Sequence, residues 1–144
     1  MGVLATFKAN LRTKLTESPA SLTNCPENVD IDDVPDSDKT FFAVMSDVGP
    51  TRIGNEHGGA TLQLYDGARV IVRVAWHIDD DPEAFDDTKT NDEENVNAVV
   101  HKASNWTSGI VLVSRNGGSE IINGTFVRCD FYYDVSYRAA QNLA

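Results

Sequence analysis

The residues able to carry chemistry are few, and most of them are carboxylates. The three histidines, His57, His77 and His101, stand 20 and 24 residues apart, and none has a second ligand at helical spacing. A zinc site would need ligands converging from three separate elements, and nothing in the spacing asks for that. His57-Gly58-Gly59 has the look of an oxyanion-hole loop, but the chain has no GxSxG elbow to supply a nucleophile. A GxxxxGK[ST] phosphate loop and a GxGxxG turn are absent too. The acidic runs Asp30-Ile31-Asp32-Asp33 and Asp79-Asp80-Asp81 could in principle hold calcium through oxygen ligands, yet they lack the glycine and terminal glutamate of an EF-hand loop. Cys25 and Cys129 form no CxxC spacing and fit a reducing compartment. The sequons Asn105-Trp106-Thr107 and Asn123-Gly124-Thr125 are read as silent, since the N-terminus, MGVLATFKANLRTK, is not a signal h-region. No catalytic residue, metal ligand or cofactor site is therefore expected.

Charge says more. Of 144 residues, 12 are Lys or Arg and 22 are Asp or Glu, a formal charge of -10. Fifteen acids sit in two stretches. Residues 27–38 hold Glu27, Asp30, Asp32, Asp33, Asp36 and Asp38 with no base, and residues 79–94 hold nine acids, among them Asp79, Asp80, Asp81, Glu83, Asp86 and Asp87, against Lys89 alone. The remainder carries 7 acids and 11 bases, so the body is mildly basic. Sequence-independent gripping of DNA phosphates is disfavoured for such a chain, and acidic runs of this kind stay solvated or meet a partner.

The elements that must position these groups follow from periodicity. Val3, Leu4, Phe7, Leu11 and Leu15 recur at helical spacing and predict an amphipathic helix over 3–16. Residues 17–40, with three prolines, read as a long acidic loop, 41–48 as a strand, and 49–60 as a glycine-rich connection. TLQLYDGARVIVRVAWHID reads as a hairpin turning at Asp66-Gly67. In its second strand Val70, Val72, Val74, Trp76 and Ile78 share one face, and Arg69, Ile71, Arg73, Ala75 and His77 the other. A second acidic loop is expected over about 79–90, then a helix over 91–104 opened by the capping-box spacing of Thr90 to Glu93. A strand at 109–114 should turn at Asn116-Gly117-Gly118. The last strand should set Val127, Cys129, Phe131, Tyr133, Val135 and Tyr137 opposite Arg128, Asp130, Tyr132, Asp134 and Ser136. Arg69 and Arg73 could then face Asp130 and Asp134 across strands, on a polar sheet face. The sum is one α+β domain over residues 1–144: a largely antiparallel sheet with two helices on one face. No apolar run approaches the ~20 residues of a membrane span, and the chain reads as a cytosolic product.

This element order, with LATFKANLRTKL, ARVIVRVAWHID followed by a polar loop and helix, and GTFVRCDFYYDVSYR, resembles the tail terminator (tail completion) proteins of long-tailed bacteriophages. The resemblance implies a structural virion protein, assembled in the host cytoplasm, that forms a homohexameric ring. Such a ring caps the tail tube and joins it to the neck, with DNA passing through its lumen without specific binding, and it needs neither cofactor nor membrane. Partners would be further copies of the chain, the tail tube protein and the neck or connector protein. The acidic loops 27–38 and 79–87 are the candidate assembly contacts, and Arg69, Arg73, Arg128, Asp130 and Asp134 candidates for a subunit interface or the lumen. Another connector or tube subunit is the nearest alternative. A small metal- or ligand-binding α+β enzyme using His57, His77 or His101 with a carboxylate is the alternative of a different class.

Overall fold

The computed structural model describes residues 2–25, 40–47, 51–58, 61–78, 81–123 and 126–138, with the side chains of 51–64 and 123 excepted. The chain is α+β. Helix α1 (Val3–Thr16) is followed by strands β1 (Thr23–Asn24), β2 (Phe41–Ser46), β3 (Thr51–Gly58) and β4 (Thr61–His77). Helix α2 (Pro82–His101), a short 3-10 turn (Ala103–Asn105), and strands β5 (Ile110–Asn123) and β6 (Phe126–Arg138) complete it. The sheet order is β1-β2-β4-β6-β5, with β3 also paired to β4. All pairings are antiparallel except β1 with β2.

Alternation sorts the side chains as the sequence implies. Val70, Val72, Val74 and Trp76 of β4 stand opposite Tyr133, Phe131, Cys129 and Val127 of β6. With Phe42 and Val44 of β2, and Val135 and Tyr137 of β6, they face both helices. Phe7, Leu11 and Leu15 of α1 and Val96, Val99 and Val100 of α2 fill the same core. Each side chain of this size contributes about 1.5–3 kcal/mol on burial, so this contiguous layer is the main source of stability.

Five sequence expectations are corrected. Asp66-Gly67 does not turn: β4 runs straight through it, with Asp66 paired to Arg52 on one side and Tyr137 on the other. Two-sided pairing overrides a dipeptide's turn preference. The reversal lies instead beyond Gly58, which pairs with Thr61, so the glycine-rich 49–60 connection contains a strand. Asn116-Gly117-Gly118 is a β-bulge within one long strand, not a turn. Arg115 pairs with Tyr133 and Gly118 with Phe131, leaving two residues against one. Gly117 takes φ +77°, and a Cβ on Gly118 would lie 2.5 Å from the Asp130 carbonyl oxygen, so both bulge positions favour glycine.

The acidic stretch expected as a loop over 79–90 is helical from Pro82 onward, and the Thr90 capping box lies inside α2. Asp81 is the N-cap; its carboxylate accepts from the Glu83 and Ala84 backbone N–H groups at 3.1 and 3.3 Å, and Pro82 opens the helix. Carboxylates in a first turn suit the positive end of the helix dipole. The expected 17–40 loop holds the short strand β1, and its Ala20 and Leu22 are buried in the core; residues 26–39 lie outside the described residues.

Candidate functional site

The polar groups gather on three surfaces. The first is the sheet face away from the helices. There Arg73 and Asp130 are direct cross-strand partners, with Nε donating to Oδ1 at 2.7 Å and Nη2 to Oδ2 at 2.9 Å. Asp130 is 7% exposed, so the pair is a half-buried bidentate fork. Arg128 Nε lies 3.9 Å from the same Oδ1. Arg69 sits opposite Asp134 in register, but its ion pair is with Asp47 at 3.8 Å and its guanidinium lies over the Tyr132 ring. Asp134 accepts instead from Asn116 Nδ2, at 2.7 Å. Of the two expected cross-strand pairs, one forms as a contact.

The second surface is the seam between α2 and the β5–β6 hairpin, and the sequence reading missed it. Arg115 Nη1 donates to Glu93 Oε2 at 3.2 Å and to Asn97 Oδ1 at 3.1 Å, its Nε donates to the Gly117 carbonyl, and the guanidinium covers the Phe131 ring. Tyr133 donates its hydroxyl to Asn97, and burial holds its phenol above the ordinary range. Lys89 Nζ donates to Glu120 Oε1 at 2.6 Å; that bond raises the lysine and lowers the carboxyl. Cys129 points at the same oxygen from 3.6 Å, and burial pushes its thiol up to about 12, so it is not a nucleophile near neutrality. Asp92 accepts from Trp76 Nε1 at 2.7 Å, while burial raises its carboxyl. A shallow groove of about 360 Å³ is lined by Glu93, Arg115, Glu120 and Cys129. The signal in the sequence was phase: Arg115, Glu120 and Cys129 alternate onto the helix side of their strands.

The third surface is the outer face of α2, where Asp81, Glu83, Asp86 and Asp87 are exposed. These four expected contacts therefore share one helical end. Asp79, Asp80 and the Asp30, Asp32, Asp33, Asp36 and Asp38 group lie outside the described residues.

His101 and His77 do not converge. His101 Nε2 accepts from the Arg115 backbone N–H at 3.1 Å and packs edge-on against Tyr133; His77 is at the far end of β4 on the other face, opposite Phe126. The side chain of His57 lies outside the described residues. Among the described residues no three His, Cys, Asp or Glu side chains gather as metal ligands would, and no helix is long and apolar enough to cross a membrane. The first sequon is structural: Asn105 is buried, its Nδ2 donates to the Val99 carbonyl, and Trp106 Nε1 donates to that of Val100, both at 2.9 Å. These bonds satisfy carbonyls that the end of α2 leaves without helical partners.

Beside this polar seam runs the outer edge of β5. Among the described residues it pairs with β6 alone, and it exposes Val111, Leu112, Ile121 and Ile122, the last 71% accessible. No family model matches the chain, and no curated protein matches it in sequence.

Proposed function

We propose that this chain is a non-enzymatic virion subunit: a tail terminator that forms a ring, of six copies in the family it resembles, capping the tail tube and joining it to the neck. The observation that carries the reading is the open edge of β5, with exposed apolar pairs near both of its ends, lying beside an acidic helix. A monomer gains nothing from leaving such an edge open, and natural proteins usually block it. A head-to-tail ring, by contrast, needs two different adhesive patches on every subunit. The two-layer α+β architecture and the opening amphipathic helix agree with the resemblance. Six copies at -10 would carry about -60. Carboxylates near a lumen would repel DNA phosphates over the ~8 Å screening length at physiological salt, so DNA would slide and not stick.

Electron microscopy and sedimentation of the purified protein, alone and with tail tubes, test the proposal. Closed rings seated on tube ends are expected. Monomers alone and also with tubes and neck proteins overturn it, and indefinite filaments would instead assign the chain to the tube.

A further inference from the structure

We propose that neighbouring copies join by strand addition, the outer edge of β3 in one copy pairing with the outer edge of β5 in the next, so that the sheet continues from subunit to subunit. The inference rests on the reading of this chain as a self-assembling ring subunit, and it names the surfaces that close the ring.

Elimination among the strand edges leads there. On the β2 side, β1 pairs with Phe41 and Phe42, the Cys25 N–H donates to the Phe42 carbonyl, and Arg12 Nη2 donates to the Val44 carbonyl at 2.8 Å. That edge is closed, and β1 itself is two residues long. Among the described residues, two longer edges carry no further strand: β5, paired only with β6, and β3, paired only with β4.

Two bulges interrupt the β5 edge and the Arg115 N–H is taken by His101, but beyond the second bulge little blocks it. It contains no proline, and its two charged side chains are turned toward α2, Arg115 to Glu93 and Asn97, Glu120 to Lys89. Four large apolar side chains are exposed along it. Beyond its second bulge, Gly118–Asn123 runs in regular register; past its own bulge, β3 is regular over Gly54–Gly58. The two stretches are of similar length. They also occupy opposite corners of the sheet, since Gly54–Gly58 pairs with Thr61–Tyr65 of β4, while Gly118–Asn123 lies across β6 from Val72–His77. Joining them offsets each sheet against the next, the stagger that closing strands into a cylinder requires.

Charge removes the competing arrangement. Two β5 edges related by a two-fold axis would bring two α2 helices side by side, each with six carboxylates and one lysine. Like charges in that position oppose association, whereas β3 brings Arg52 and one acid, Glu56.

The experiment uses the full chain. The double variant Ile121→Lys/Ile122→Lys alters only exposed positions, so it should melt as the wild type does yet sediment as a monomer. In a Cys25→Ser/Cys129→Ser background, Ile121→Cys and Asn55→Cys chains mixed and treated with a short bis-maleimide should give a cross-linked pair, and Ile121→Cys alone should give none. Cross-linking of Ile121→Cys with itself, or intact rings with no mixed cross-link, overturns the edge assignment while the ring reading stands. Mixed cross-links in open filaments uphold the assignment and remove the ring. Monomeric wild-type protein at every concentration, with and without tubes, removes both.

Discussion

The two flanks of the sheet are finished in opposite ways. On the β2 flank the Phe42 carbonyl accepts from the Cys25 N–H and the Val44 carbonyl from Arg12, and Lys8 donates to the Ser46 hydroxyl at 3.0 Å. On the β5 flank the charged side chains are drawn inward to α2, and four large apolar ones are left outside. The first flank spends its side chains on the monomer. The second leaves them for contact, which is the physical content of the assembly proposal.

Substitutions can break that contrast. The largest effect is expected at Phe42, fully buried on the closed flank: Phe42→Ala should cost about 3–5 kcal/mol in urea unfolding. Ile122→Lys on the open flank should stay within about 0.5 kcal/mol of wild type. Equal losses would show that the open flank is as much a part of the monomer's stability as the closed one. Next comes Arg12→Met, which keeps the aliphatic stem but drops the bond to the Val44 carbonyl and should cost about 1 kcal/mol. An unchanged unfolding midpoint would mean that water serves that carbonyl equally well.

The smallest effect concerns pH at the α2 seam. Burial raises the folded-state pKa of Asp92 above its ordinary 3.8, so the folded chain binds that proton more tightly than the unfolded one. Its contribution is fully present below 3.8 and is lost as pH rises through the raised value. Glu120 has the opposite sign: its bond to Lys89 lowers its pKa, and its contribution is lost as pH falls. Asn at position 92 can still accept from Trp76 but cannot ionise. Asp92→Asn should therefore gain stability relative to wild type between pH 3 and pH 6, read from urea midpoints. A difference that does not change with pH removes this assignment.

Much of the fold is legible from alternation alone. Val70, Val72, Val74 and Trp76 fall on the core face as their period-two spacing implies, and Arg73 meets Asp130 because the same count fixes both strands. The failures share a cause. Asp66-Gly67 and Asn116-Gly117 are turn dipeptides in isolation, but each lies in a strand whose long-range pairing is worth more than the local preference. The early start of α2 was written in Asp81-Pro82-Glu83, a cap, a proline and a first-turn acid, and was hidden by reading the acid run as solvated coil. Arg69 went to Asp47 and not to Asp134 because β2 lies on its other side, a neighbour that spacing within the two central strands does not reveal.

Asn105 carries one more implication. The amide nitrogen that a glycosyl-transferring enzyme would use is the atom that holds the Val99 carbonyl in the finished molecule. Sugar attachment and native packing therefore compete for one atom. Production through a eukaryotic secretion route would divide the product between a glycoform with a frayed α2 terminus and an unmodified native form, and replacing Thr107 with Ala, which abolishes the acceptor signal, would merge the two.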